Sequence, residues 1–287
     1  MIIIKNISKA FNDKNVINDV SLSIQPGITA LIGKNGSGKS TLLRLISNIY
    51  HLDNGEIYID GYSYTSLEAK RLSFFLSDNP YYFPSGYIKD TLRYYECLFP
   101  LDKKVFDHLI NRFSLPNDKR LITFSKGMIK LLFIAISFSV KTPYLLLDEP
   151  LDGVDVIAID EIKKMIIELC NDKTIIISSH NVEILKDLAE YFIFVKEGKV
   201  ILNGTLDDIT SHLYKYQVIF DHEIDISHLK KDIPSIIDVK KTGSIYYLIA
   251  KEEINESMLT NYPHHQFTNI DIDIIEAIRL EIGDNDL

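Results

Sequence analysis

Gly33-Lys34-Asn35-Gly36-Ser37-Gly38-Lys39-Ser40 is a complete G-x-x-x-x-G-K-[ST] run. Before it, Ile28-Thr29-Ala30-Leu31-Ile32 is short, apolar and β-branched, the pattern of a buried strand. After it, Thr41 to Ile49 carries Leu42, Leu45, Ile46 and Ile49 at helical spacing. Strand, glycine loop and helix thus follow in the order a phosphate cradle needs. Gly33, Gly36 and Gly38 let the backbone aim its N–H groups inward, and the helix amino end adds partial positive charge. On this reading Gly33 to Thr41 bind a nucleotide such as ATP, Lys39 reaches the β- and γ-phosphates, and the Ser40 hydroxyl binds Mg²⁺.

The 287 residues suffice for one large domain and a smaller one, and a hydrophobic fraction of 46% can bury a sizeable core. A net charge of -9 argues against nucleic acid or an anionic membrane face as a direct partner. Cys97 and Cys170 are the only cysteines, which fits a reducing compartment and gives no metal-site spacing; packing is the expected role of both. No run approaches the ~20 apolar residues needed to cross a bilayer, the longest being Leu131 to Val140. Met1 to Lys5 has no basic stretch ahead of its apolar run and reads as a first strand, not a signal peptide. If the protein works on a membrane, another chain must do the crossing.

Ile2 to Ile7 and Val20 to Ile24 read as strands, with Phe11 to Asn15 as a polar turn, and Asn54-Gly55 and Asp60-Gly61 bracket a short strand at Glu56 to Ile59. Residues 77–140 turn aromatic and helical in texture, an insertion within one nucleotide-binding core. Buried strands return at Tyr144 to Leu147 and Thr174 to Ser178, separated by an amphipathic helix around Ile159 to Leu169. This alternation indicates a mostly parallel, doubly wound α/β sheet. Tyr191 to Lys196 and Lys199 to Leu202 form a closing hairpin around Glu197-Gly198. From about residue 205 the texture changes: Tyr216 to Phe220, Ser235 to Lys240 and Ser244 to Lys251 read as strands and Asp273 to Ile282 as a helix, a small α+β domain before an acidic, frayed end at Gly283 to Leu287.

Leu145-Leu146-Leu147-Asp148-Glu149-Pro150 is an apolar strand that stops in two carboxylates. In a parallel sheet the carboxyl ends of strands face the ligand crevice, so both acids are expected beside the nucleotide. Asp148 is expected to hold Mg²⁺, and Glu149 to orient and polarise the attacking water.

The phosphate loop, the helical insertion, Phe124-Ser125-Lys126-Gly127-Met128, the strand ending at Glu149, Gly153-Val154-Asp155 and Ser178-Ser179-His180 occur in the order of one family. Over residues 1–204 the chain resembles the ATP-binding-cassette (ABC) ATPases. The resemblance implies a P-loop NTPase fold with an antiparallel β subdomain and a helical subdomain near residues 77–140, followed by the accessory domain at 205–287. It implies an ATPase using ATP and Mg²⁺ that pairs with a second cassette chain, homo- or heterodimeric, and drives integral membrane subunits from the cytoplasmic face of the membrane. Nucleic acid is not an expected partner.

By that resemblance Phe11 lies under the adenine ring, with a core aromatic beside a turn as the alternative. Ser125, Lys126 and Gly127 form the signature loop, which meets the γ-phosphate held on a facing subunit, since a cassette's own phosphates lie at Gly33 to Ser40. His180 is the switch histidine that contacts the γ-phosphate, and Asp155 lies in the loop communicating between two ATP sites. The aromatic run Asn79 to Tyr87 is where the family docks its membrane subunit; packing within the helical insertion is the alternative.

Two motifs depart from the pattern. Lys126 stands for the first glycine and Met128 for the glutamine of the common Leu-Ser-Gly-Gly-Gln loop, a variant similar to cassettes of separately encoded exporters. Lys126 either adds positive charge near the γ-phosphate or points into solvent. In Leu76-Ser77-Asp78-Asn79-Pro80, Asp78 stands for a glutamine that reaches Mg²⁺ and water; one methylene shorter and charged, it either binds Mg²⁺ more tightly or fails to reach it. The expectation is a subunit driving export of a peptide, antibiotic or lipid-like compound, with an importer or a soluble regulatory ATPase as alternatives.

Overall fold

The computed structural model describes residues 1–12, 14–169 and 173–282. Asp13 of the first turn, Cys170 and the acidic end at 283–287 lie outside them. The chain divides into two compact units, the first ending at Asn203 and the second starting at Gly204.

The first unit holds two sheets. The antiparallel one is built from β1 (Ile2–Phe11), β2 (Lys14–Ile24), β4 (Asn54–Ile59) and β5 (Tyr62–Ser63) in the order β2-β1-β4-β5. β1 and β2 run further than their apolar ends suggest, taking in Phe11, Lys14 and Asn15 of the expected turn, and register shifts between Ile4 and Ala10 break the alternation along them. Asn6 and Asp19 take positive φ there (47° and 51°), and Asn6 Nδ2 donates to Asp19 Oδ1 at 3.1 Å. The Asp60-Gly61 turn behaves as its sequence demands, with φ of 49° and 83°.

The second sheet has the order β10-β9-β3-β8-β7-β6, from β3 (Gly27–Ile32), β6 (Ser73–Leu76), β7 (Tyr144–Leu147), β8 (Thr174–Ser179), β9 (Tyr191–Lys196) and β10 (Lys199–Gly204). β3 pairs in parallel with β8 and β9, and β7 with β6 and β8. β6 is a strand that the sequence reading did not single out. Around the sheets lie α1 (Lys39–Ile46), α2 (Leu67–Leu72), α3 (Ile88–Glu96), α4 (Lys103–Arg112), α5 (Lys126–Ser139), α6 (Val156–Leu169) and α7 (Val182–Leu185). α1 stops at Ile46, and Ile49, expected on its apolar face, is exposed. Cys97, expected to pack, is exposed as well.

One core joins Ile2, Ile4, Ile57 and Ile59 of the antiparallel sheet to Leu42 and Leu45 on α1, and to Leu31, Leu146 and Ile176 of the parallel sheet. Leu146 has no exposed surface. Leu146→Ala is expected to cost about 2 to 5 kcal/mol through lost burial and the cavity left behind, read as a lower urea midpoint for this unit.

The second unit sets β11 (Tyr214–Phe220), β12 (Ile236–Thr242), β13 (Ile245–Ala250) and β14 (His264–Ile270) in the order β12-β13-β11-β14, all pairs antiparallel. α9 (Ile226–Asp232) connects β11 to β12 with β13 between them, a split β-α-β arrangement. Tyr216, Val218 and Phe220 pack with Leu229, Ile233, Tyr246 and Leu248 on one side. From the other face Lys215 reaches Glu276 of α10 (Ile274–Ile282) at 2.5 Å, and α10 packs with α8 (Leu206–Thr210).

Candidate functional site

The loop from Gly33 to Ser40 joins β3 to α1, as its sequence requires. Gly38 caps α1 at φ 114°, a conformation closed to residues with a side chain, and a Cβ on Gly33 would stand 2.2 Å from the Val195 carbonyl oxygen. Ser37 N–H donates to the Lys34 carbonyl at 3.1 Å, and Gly198 N–H of the β9–β10 turn donates to the Ser37 carbonyl at 2.8 Å. Lys34, Asn35 and Gly36 form the exposed rim, whereas Ser37, Gly38 and Lys39 are buried and Thr41 half-buried.

Lys39 is only 3% exposed; its Nζ donates to the carbonyls of Gly33 (2.7 Å) and Lys34 (3.2 Å) and lies 3.3 Å from Glu149 Oε1. A buried ammonium needs such partners to offset its lost hydration. Glu149 Oε2 is in turn 3.4 Å from His180 Nδ1, so Lys39, Glu149 and His180 form a chain of charged and titratable groups. Glu149 itself takes φ 45°, uncommon for a residue with a Cβ, and its N–H is held by Ser178 Oγ at 2.9 Å.

Beside this chain, Asp148 Oδ1 accepts from Ser40 Oγ at 2.8 Å and from Ser178 Oγ at 2.9 Å. Its Oδ2 is buried with no hydrogen-bond partner, and Arg44 Nη2 comes only to 3.9 Å. A serine hydroxyl and a carboxylate with an unsatisfied oxygen are the hard oxygen donors that Mg²⁺ takes. The residues therefore fit that ion.

The remaining expected residues are distributed differently. Asp78 lines a small pocket with Asp148 and Glu149; its Oδ1 lies 3.2 Å from Lys130 Nζ, and its side chain is 57% exposed. Ser125 caps α5 by accepting from Met128 N–H at 3.2 Å, and Lys126 is exposed in a cleft with Asp78, Lys130, Asp152 and Gly153. A Cβ on Gly127 would stand 3.8 Å from the Gly153 carbonyl oxygen and from Ser125 Oγ, ordinary van der Waals contact. Asp155 is exposed and caps α6 through Ala158 N–H at 2.9 Å. Phe11, far from being a core residue, is 38% exposed at the end of β1 and meets Tyr50 edge-on at 5.2 Å.

The aromatic run divides. Tyr82 meets Phe133 of α5 edge-on, whereas Tyr81 is 59% exposed and clusters with Phe83 and Tyr94. Lys130, which no sequence motif marks, joins Asp78 to the turn after β7: its Nζ also donates to the Glu149 carbonyl at 2.9 Å.

The ABC transporter family pattern matches residues 17–152. The chain is 31% identical to the lantibiotic transport ATP-binding protein SrtF of Streptococcus pyogenes, over 77% of this chain and 99% of that one. It is 32% identical to the petrobactin import ATP-binding protein YclP of Bacillus subtilis, over 73% and 88%. With the ABC transporter ATP-binding protein YtrB of Bacillus subtilis the identity is 29%, but the match spans 99% of this chain and 98% of the relative. A solved structure of an ATP-binding subunit of an ABC transporter superposes at a TM-score of 0.66 with 26% identity, covering 74% of this chain and 92% of its own. The chain belongs to the ABC transporter family, as an ATP-binding subunit with ATPase activity.

Proposed function

We propose that the chain drives export of a peptide, antibiotic or lipid-like compound through separate membrane subunits, working as one of two paired cassettes on the cytoplasmic face of the membrane. The observation that carries the hydrolytic part is the Lys39–Glu149–His180 chain set beside the Ser40–Asp148 pair. Gly33 to Thr41 bind the phosphates of ATP, Lys39 meets the β- and γ-phosphates, and Phe11 stacks against the base. Glu149 accepts a proton from water as its oxygen bonds to the γ-phosphorus; the bond from that phosphorus to the bridging oxygen breaks, and ADP and phosphate leave. His180 holds the γ-phosphate. Ser40 and Asp148 would hold Mg²⁺, which when bound neutralises charge on the phosphates.

Ser125 caps α5, and Lys126 and Gly127 are its first two residues, at an amino end that suits an anion. In this reading they serve the γ-phosphate of the facing cassette, with Asp155 at the seam. Residues 1–204 form the cassette, 77–140 its helical subdomain, and 205–287 an accessory domain; the separate compact unit that starts at Gly204 supports this division. Among the described residues no helix is long and apolar enough to cross a membrane, so the reading assigns the crossing to other chains. The exposed Tyr81, Phe83 and Tyr94 offer them a docking patch.

Export is favoured by the Ser-Lys-Gly-Met loop and by the SrtF likeness; the YclP likeness supports import as the second reading. Capture of the tagged chain from detergent-solubilised membranes is expected to bring down an integral membrane protein. Recovery of the chain alone, with none in the membrane fraction, would sink the transporter assignment. In a deletion strain, heightened sensitivity to peptide antibiotics supports export, whereas lost growth on a chelated nutrient supports import.

A further inference from the structure

Lys130 sits on the second turn of α5, and its side chain is 18% exposed. Its ammonium lies 3.2 Å from Asp78 Oδ1 and donates to the Glu149 carbonyl at 2.9 Å. One group therefore joins three segments distant in sequence: the loop after β6, the helix capped by Ser125, and the turn after β7.

The turn needs such support. Glu149 occupies the left-handed region at φ 45°, where a residue with a Cβ persists only if its surroundings fix it. Ser178 Oγ fixes its N–H, Lys39 and His180 bracket its carboxylate, and Lys130 fixes its carbonyl. An ammonium carries three donors without a set plane, so it can serve a carbonyl and a carboxylate together. Asp78, one methylene shorter than the glutamine of the resembled loop and charged, has a cation to pair with.

We propose that Lys130 is a positioning residue for ATP hydrolysis, fixing the backbone of Glu149 and tying it through Asp78 to the loop Leu76–Pro80. The assignment rests on the reading of Glu149 as the base. Its consequence is that Asp78, one of the departures from the family pattern, and Lys130 act as one unit: movement of the loop is felt at the turn that carries Glu149.

The test uses the purified full chain and steady-state ATPase kinetics. Lys130→Met keeps the aliphatic stem and removes the donor; kcat is expected to fall about tenfold with the KM for ATP within about twofold, because small displacements of a catalytic group are costly. Lys130→Arg should recover most of kcat. Asp78→Asn should lower kcat by a smaller factor alone and by none in the Lys130→Met background. Unchanged kcat in Lys130→Met, a lowered kcat that Lys130→Arg does not raise, or multiplying effects in the double variant would each overturn the proposal. Should Lys130→Met fail to fold, Asp78→Asn and Lys130→Arg decide: wild-type kcat in Asp78→Asn overturns it. Glu149→Gln separates the two readings. Full activity in that variant removes the base assignment, whereas an inactive Glu149→Gln beside a fully active Lys130→Met removes only the role of Lys130.

Discussion

Glu149→Gln is expected to lower the steady-state ATPase rate by about 100- to 10,000-fold, the usual contribution of a positioned general base. The amide is nearly the same shape as the carboxylate and cannot take the proton. Its carbonyl oxygen can still accept from Lys39, and the backbone bonds to Ser178 and Lys130 do not involve the side chain. ATP affinity should therefore hold within about threefold, a change below 1 kcal/mol. Hydrolysis is also what reopens the proposed pair, so the variant should accumulate as a dimer with ATP, read by size-exclusion chromatography. A variant that turns over at the wild-type rate would show that another group takes the proton.

Lys39→Ala should act earlier, on binding. Hydrogen bonds from a charged donor contribute about 1.5 to 3 kcal/mol each, so losing those to two phosphates should weaken ATP binding by ~100-fold or more. A second effect compounds the first. Lys39 lies 3.3 Å from the Glu149 carboxylate, which is only 17% exposed, and its removal leaves that charge beside His180 and the Asp152 carboxylate. Titration calorimetry with ATP reads the loss of affinity, and circular dichroism checks that the fold survives. ATP bound with wild-type affinity would exclude Lys39 from the phosphate contacts.

The nucleotide cradle is legible in the chain because its chemistry dictates its spelling. Glycines are required where φ is positive or a Cβ would strike Val195, and a strand and helix must flank them. The acids at 148 and 149 are legible for a similar reason, since an apolar strand that ends in carboxylates delivers them to the crevice. Elsewhere the sequence offers less. β14 is an edge strand in which no residue is buried, so His264 to Ile270 shows no apolar alternation to read. β6 is four residues long and abuts a helix, too short for periodicity. Leu131 to Val140 looks like a continuous apolar run because α5 is buried on nearly every side from Leu132 onward.

Lys130 is hidden in the sequence for a physical reason. A lysine among Met128, Leu131 and Leu132 reads as the solvated side of an amphipathic helix. Its partners at 78 and 149 become neighbours only through the fold. The same holds for Asp78, whose short side chain can be weighed against a glutamine but whose cation cannot be foreseen. Phe11 turns the other way: a sequence that allows a core aromatic gives an exposed ring standing against Tyr50.

The bond from Gly198 N–H to the Ser37 carbonyl, with the Lys39 bonds to Gly33 and Lys34, holds the phosphate loop in shape from within the chain. The conformational entropy of ordering the cradle is then settled during folding and does not oppose association. Affinity for the nucleotide is accordingly supported by a hairpin far downstream in the sequence, through a single backbone hydrogen bond.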